Sequence, residues 1–428
     1  MSVTTPSPEL SVSASLESAT VKNWKAPIVF AVFSVIAVVV FVGFRREGVS
    51  EFRFATGSDF FAIPPLVVGS TPATIVLSVL LLALTGYSVW RTSTARTTPI
   101  WLVSLFGVLF VADFLAWVVA GNFINATGLL LGSIALSAPL IFGALGGVIS
   151  ERVGVVNVAI EGQLLAGAFT SAMVASMTGN ALVGLLAAMV AGVLVGMVLA
   201  VFSIRYLVEQ VIVGVVLNVL VAGLTGFLYS TVMGSNEALF NSPPKLPQLP
   251  IPVLSEIPVI GPILFRQTLI IYLMYVAIFL VWWGLYKTKW GLRLRAVGEH
   301  PQAADTVGIR VNMTRFWNVS LAGAIAGLGG AYFTLGSVGG FTKEMTAGAG
   351  FIALAAVIFG RWDPIKATLA ALLFGFASNL QNVLGAIGSP VPSEFMLMLP
   401  YVITILAVAG FVGQSRGPAA SGKAYVKQ

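Results

Sequence analysis

Apolar runs long enough to cross a bilayer recur along the whole chain, each closed by a short polar or glycine-rich break. A helix needs about 20 apolar residues to cover the hydrocarbon core. By that measure the pattern predicts spans at 26–44, 73–90, 99–121, 127–149, 155–177, 181–204, 209–232, 267–286, 316–338, 349–360, 364–388 and 395–412. The tenth run, 349–360, is too short to cross alone and reads as a half-helix or a re-entrant segment. The fold class this predicts is an all-α polytopic membrane protein of about 12 segments. Small residues recur inside the spans, as in Gly192-x-x-x-Gly196, Gly323-x-x-x-Gly327 and Gly329-Gly330. They let helices approach closely, so the spans pack as a bundle.

Composition fixes the class. Of 428 residues 57% are hydrophobic and only 9% charged, whereas a soluble domain carries about a quarter charged residues. The chain has no cysteine, which removes disulfides, thiolate nucleophiles and sulfur metal sites. A single histidine, His300, leaves little for metal binding or general-base chemistry. No cleavable signal peptide is expected: the first apolar run starts near Pro27 behind a Ser/Thr/Pro-rich tail and is long enough to span.

The net charge of +7 lies in loops between apolar runs, where it orients the chain rather than binding nucleic acid. With the amino terminus inside, the inner segments hold 17 of the 23 Lys and Arg residues and the outer ones 6. The positive-inside rule therefore puts both termini in the cytoplasm. Arg45, Arg46 and Arg53 fall outside against this trend, beside Glu47, Glu51 and Asp59.

The longest polar interruption between spans on the inner side, 287–315, contains Lys287-Thr-Lys-Trp-Gly-Leu-Arg-Leu-Arg-Ala-Val-Gly-Glu-His-Pro-Gln-Ala-Ala-Asp-Thr-Val-Gly-Ile-Arg310. A short helix is predicted within it: His300 at the cap, Pro301 first, Gln302 to Val307 as the turns and Gly308 as the stop. Such a helix on one side of a membrane protein implies a docked partner. The largest outer segment, 233–266, carries Ser242-Pro-Pro-Lys-Leu-Pro-Gln-Leu-Pro-Ile-Pro252, where proline density favours extended or turn structure. It reads equally as a connector and as a face for a soluble partner.

Polar residues inside spans are costly and usually face a bundle interior or a watery cavity. Glu151 and Arg152 are expected to pair at a cytoplasmic turn. Glu161, beside Gly162 and Gln163, either hydrogen-bonds backbone exposed at a helix break or lines a pathway. Asp113 is isolated, with no partner recognisable along the chain, and reads as structural. A second break, Gly339-Gly-Phe-Thr-Lys-Glu-Met-Thr-Ala-Gly-Ala-Gly350, precedes a short helix that starts at Phe351; transporters build sites at membrane depth this way. Asn379, Gln381 and Asn382 read first as ties between helices.

Transport needs an energy source. Gly417-Pro-Ala-Ala-Ser-Gly-Lys423 nearly spells a phosphate loop, but Ala424 stands where Ser or Thr should hold magnesium, and no strand precedes it. That match is read as chance. Intramembrane acids are too few for an ion-coupled transporter, so a docking helix without an ATPase points to an ATPase on another subunit.

Three long motifs then carry a resemblance: Gly146-Gly-Val-Ile-Ser-Glu-Arg-Val-Gly-Val-Val-Asn-Val-Ala-Ile-Glu-Gly162, Gly291 to Ile309, and Thr346-Ala-Gly-Ala-Gly-Phe-Ile-Ala-Leu-Ala-Ala-Val-Ile-Phe-Gly-Arg-Trp362. In this order they resemble the permease subunits of bacterial ABC importers, in the nucleoside and simple-sugar branch of the ribose/branched-chain amino acid permease group. The resemblance covers about 125–412. It implies that 298–308 is the coupling helix seated in a cleft of the ATPase, with Glu299, His300, Pro301, Ala304, Asp305 and Gly308 at the contact. It also implies a second related permease, an ATPase with duplicated nucleotide-binding halves carrying the ATP and magnesium, and an extracytoplasmic solute-binding lipoprotein. No cofactor is expected in this chain, and its other surroundings are membrane lipid. Candidate residues for the translocation path are Asn157, Glu161, Gln163, Phe351 and Asn379.

The domain layout expected is a flexible tail over 1–25, an amino-terminal membrane extension over 26–121, a permease core over 122–414 of roughly 9–10 segments, and a basic tail over 415–428. The function expected is an ATP-driven importer of nucleosides in a bacterial plasma membrane. A simple-sugar importer is the alternative within the class, and a lone ion-coupled transporter the alternative outside it. A membrane-bound enzyme lacks any cluster of His, Cys or paired acids.

Overall fold

The computed structural model describes residues 23–55, 59–61, 63–388, 391–392, 394–395, 398 and 417–426. Contacts divide the chain into two compact units, Met1–Gly48 with Gly69–Trp117, and Val49–Val68 with Val118–Gln428.

The first unit holds α1 (Lys25–Ile36), continued by a π-turn to Gly43, α2 (Ser70–Ser93) and α3 (Ile100–Val118). Its apolar core is aromatic: Phe30 stacks on Phe106 at 4.0 Å, and Phe33 meets Phe110 edge-on at 4.9 Å. A polar stripe, Thr74, Ser78, Thr85, Ser88 and Thr92, is buried along α2. Asp113 has a partner there after all, since Ser78 Oγ donates to its Oδ2 at 2.8 Å. That partner lies 35 residues away, out of reach of a local reading.

The second unit is built on α4 (Ala126–Arg152), α5 (Ile160–Thr178), α6 (Ala181–Ala200), α7 (Gln210–Thr231), α8 (Glu237–Phe240), α9 (Leu269–Lys287), α10 (Lys289–Glu299), α11 (Pro301–Thr306), α12 (Val311–Ala331), α13 (Ala349–Phe359) and α14 (Pro364–Ala386). Helices α4, α5, α6 and α12 form its centre. The predicted glycines bring them together: a Cβ on Gly192 would collide with the carbonyl of Gly323, and one on Gly330 with that of Leu164. Short strands occupy the connections. β1 (Val49–Arg53) lies between β2 (Leu66–Gly69) and β3 (Phe123–Asn125). β4 (Gln248–Pro250) pairs antiparallel with β5 (Arg266–Thr268), Leu249 opposite Gln267. The proline-rich connection is thus extended, as its composition predicts. In the first hairpin Arg53 pairs with Glu51 at 2.7 Å.

Among the described residues nine helices are long and apolar enough to cross a membrane, and the chain is a multi-pass, mainly helical membrane protein. The expected span 155–177 is replaced by α5, which begins only at Ile160. The run 316–338 is part of a longer helix that starts at Val311 and continues as a π-turn to Val338. The expected span 395–412 lies outside the described residues apart from Phe395 and Met398.

Loops that the charge count places on one side do converge. Arg152 Nε donates to the carbonyl of Trp362 at 2.8 Å, and the Ala420 N–H to that of Gly298 at 2.9 Å. At the other end of α12, Lys245 Nζ donates to the carbonyl of Ser337 at 3.0 Å, and Asn241 accepts the Phe341 N–H and donates back to its carbonyl.

Candidate functional site

Two breaks in the helical core meet at one carboxylate. The first follows α4: Gly154 turns the chain at φ +95°, and residues 155–159 stay non-helical until α5 starts. Unpaired backbone inside a membrane costs several kcal/mol per group, and α7 supplies the missing partners. Gln210 Oε1 accepts the Val156 N–H at 2.7 Å. Asn218 Oδ1 accepts the Gly162 N–H at 2.8 Å, and its Nδ2 donates to the Val158 carbonyl at 2.9 Å. The second break is 339–348, bounded by Gly339 and Gly348 at φ +86° and +83°. Beyond it α13 has 11 residues, roughly 16 Å of helix and about half a crossing. It occupies the run 349–360, expected as a half-helix or a re-entrant segment.

Glu161 joins the two breaks. Its Oε1 accepts the Thr346 hydroxyl at 2.6 Å and the Gly348 N–H at 2.9 Å, and its Oε2 accepts the Gly350 N–H at 2.6 Å. The side chain therefore caps α13 while standing in the first turn of α5. Both helix N-termini favour a negative charge. Of the two readings open for Glu161, this geometry supplies the one in which it binds backbone at a break. Asn157 and Gln163 lie beside it, fully buried, with Asn157 Nδ2 donating to Gln163 Oε1 at 3.1 Å. Phe351 follows Gly350 and is half exposed.

Asn379 is not brought to this centre. Its Nδ2 donates to the Leu129 carbonyl at 2.6 Å, tying α14 to the first turns of α4, and Gly132 leaves the room its amide needs. The expected Glu151–Arg152 pair does not form either. Glu151 is buried and its Oε2 accepts the indole N–H of Trp362 at 2.5 Å, while Arg152 turns to the carbonyl of the same Trp362. Adjacent residues on a helix point about 100° apart, so each finds its own partner.

The second candidate feature is the elbow between α10 and α11. The whole 287–310 stretch was expected as loop with one short helix, yet Lys289–Glu299 is helical, burying Gly291, Leu294, Val297 and Gly298 along one face. Helix α11 is Pro301–Thr306 with His300 as N-cap, and Gly308 follows at φ +84°. Proline at the first position and a left-handed glycine past the end give the predicted boundaries. Ala304 is buried, whereas Gln302, Ala303, Thr306 and Val307 are exposed. Glu299 Oε2 accepts the Ala419 N–H at 3.2 Å, and the Tyr425 hydroxyl donates to Asp305. Burial, then the Asp305 carboxylate, push that hydroxyl above its ordinary value. Glu299, Ala304 and Asp305, assigned to a partner by resemblance, thus meet the protein itself.

The sequence reading missed Gln210, Asn218, Asn241 and Trp362. Asn218 carried a usable signal, as an amide in the middle of the apolar run 209–232. Trp362 did not, because an aromatic beside a helix end is ordinary at a membrane surface.

Residues 129–408 match the family described as branched-chain amino acid transport system / permease component. The guanosine ABC transporter permease protein NupQ of Bacillus subtilis is 41% identical over 305 residues, 69% of this chain and 95% of that protein. The nucleoside ABC transporter permease protein NupC of Lactococcus lactis is 40% identical over 324 residues, 72% of this chain and 99% of that protein. A second guanosine permease of Bacillus subtilis, NupP, is 27% identical over 283 residues, 64% of this chain and 79% of that protein. No solved structure matches. These relatives are permease subunits of transport systems rather than enzymes, and the chain belongs to the permease-component family of branched-chain amino acid transport systems.

Proposed function

We propose that this chain is the transmembrane subunit of an ABC importer that carries nucleosides into the cytoplasm by alternating access. The observation that carries the reading is the near-complete coverage of two permeases named for guanosine and for nucleosides. A separate ATPase holds the ATP and magnesium. Because one bacterium supplies two matching permeases, the second half of the translocation pathway is a related subunit rather than a copy of this chain. An extracytoplasmic lipoprotein delivers the solute.

The 17-to-6 distribution of basic residues supports a cytoplasmic α10–α11 elbow, with both termini on the same side. ATP binding would then close the ATPase pair and push α11, and the glycine-packed helices α4, α5, α6 and α12 would carry that displacement to the breaks around Glu161. Asn157, Gln163 and Phe351 border the path, Glu161 holds the two breaks together beside it, and Asn379 holds α14 in place. Helices α1–α3 precede the family match, which starts at residue 129, and form an amino-terminal extension to the core.

Cells lacking this chain should lose uptake of radiolabelled guanosine, and excess unlabelled nucleoside, but not free ribose or glucose, should compete with it in intact cells. Unchanged guanosine uptake, or competition by free sugar alone, would contradict the assignment.

A further inference from the structure

The segment 417–426 lies along α11 and its neighbours. The Ala420 N–H donates to the Gly298 carbonyl at 2.9 Å, and the Ala419 N–H to Glu299 Oε2 at 3.2 Å. Arg315 Nη1 donates to the Lys423 carbonyl at 2.9 Å. Tyr425 is only 7% exposed and its hydroxyl meets Asp305. Gly417 rests on the Trp362 indole, where a Cβ would approach the ring to 3.0 Å. The glycine-rich stretch that imitates a phosphate loop is therefore committed to packing, with the Ala419 and Ala420 amides used within the protein.

These contacts run from the end of α10, through Asp305 of α11, to the start of α12. Helix α11 has six residues, roughly 9 Å, far below the length at which a helix is stable alone. The side chain of its N-cap, His300, makes no cap hydrogen bond. A lever this short transmits displacement only if something outside it fixes its angle. Arg315 shows how firmly the segment is seated: its guanidinium is 2% exposed, and its Nε and Nη2 have no partner among the described residues. The Lys423 carbonyl is the acceptor it has.

We infer that residues 417–426 form a strap that holds α11 at its working angle, that Glu299 and Asp305 are positioning residues bound to this strap, and that the ATPase is gripped by the exposed residues Gln302, Ala303, Thr306 and Val307. The inference rests on α11 being the coupling helix. It turns the two acids from the partner interface toward the protein's own segment 417–426, and it gives that segment a task.

The test uses the complete transporter in proteoliposomes. Tyr425→Phe and Asp305→Ala should each raise the ATP hydrolysed per solute imported about tenfold, the factor equivalent to one lost hydrogen bond of about 1.4 kcal/mol. The double variant should be no worse than either single one, because both remove the same contact. A silent Tyr425→Phe, or additive effects, would overturn the strap. Since the chain has no cysteine, crosslinking separates the two layers of the argument. Ala303→Cys should crosslink to the ATPase and Asp305→Cys should not. Crosslinking from Asp305→Cys alone sinks the strap but keeps the coupling helix; crosslinking from neither sinks the coupling reading, and the strap with it.

Discussion

The Glu161 carboxylate accepts the Gly350 N–H at 2.6 Å across 189 residues of sequence. One side chain thereby closes two breaks in a membrane-embedded core, capping α13 from the first turn of α5. Glu161→Ala leaves three donors, the Thr346 hydroxyl and the Gly348 and Gly350 N–H groups, without their acceptor. Loss of such a cap costs about 2 kcal/mol. A thermal melt in detergent should show the drop, with uptake per folded molecule falling less than the yield. A stable variant that binds its partners but does not transport would give Glu161 a direct place in the path.

Close glycine packing gives a sharper contrast. A Cβ on Gly192 meets the Gly323 carbonyl, whereas one on Gly226 meets nothing within 4 Å. Gly192→Ala should lower stability by about 1–3 kcal/mol, the range for overpacking, and Gly226→Ala should leave the size-exclusion profile unchanged. Equal profiles would mean that α6 and α12 do not touch as described.

Trp362→Phe strands the buried Glu151 carboxyl without its indole donor, at about 1–3 kcal/mol. Replacing both partners, Trp362→Phe with Glu151→Leu, should recover most of that loss, because no polar group is then left unpaired. If the double variant melts lower than either single one, the two residues do not act as a pair.

Sidedness is open to direct labelling in this cysteine-free chain. Ala238 and Ala303 are both exposed, at opposite ends of the core. A membrane-impermeant maleimide should label Ala238→Cys in intact cells, and Ala303→Cys only after lysis. The reverse result would invert the topology.

Much of this architecture is readable from local pattern. Span lengths, the glycine contacts and the boundaries of α11 follow from hydropathy, small residues and the Pro301–Gly308 punctuation, all of which act within a few residues. The half-helix before Gly360 was legible for the same reason. What the pattern does not carry is long-range pairing. Glu161 finds Thr346, Glu151 finds Trp362, and Asn379 finds Leu129, each across more than 180 residues. Glu151 and Arg152 were expected to pair because they are neighbours in sequence, which on a helix separates rather than joins them. Helix α10 was hidden by its charge, although Gly291, Leu294, Val297 and Gly298 lie at helical spacing and are buried.

The central claim is ATP-driven nucleoside import through a pathway to which this chain contributes one half. It is tested most directly in proteoliposomes holding this chain alone, or this chain with the second permease, the ATPase and the solute-binding lipoprotein. The account expects radiolabelled guanosine to accumulate only with the complete set, and only when ATP and magnesium are on the ATPase side. Accumulation by this chain alone, driven by a proton or sodium gradient without ATP, would contradict it.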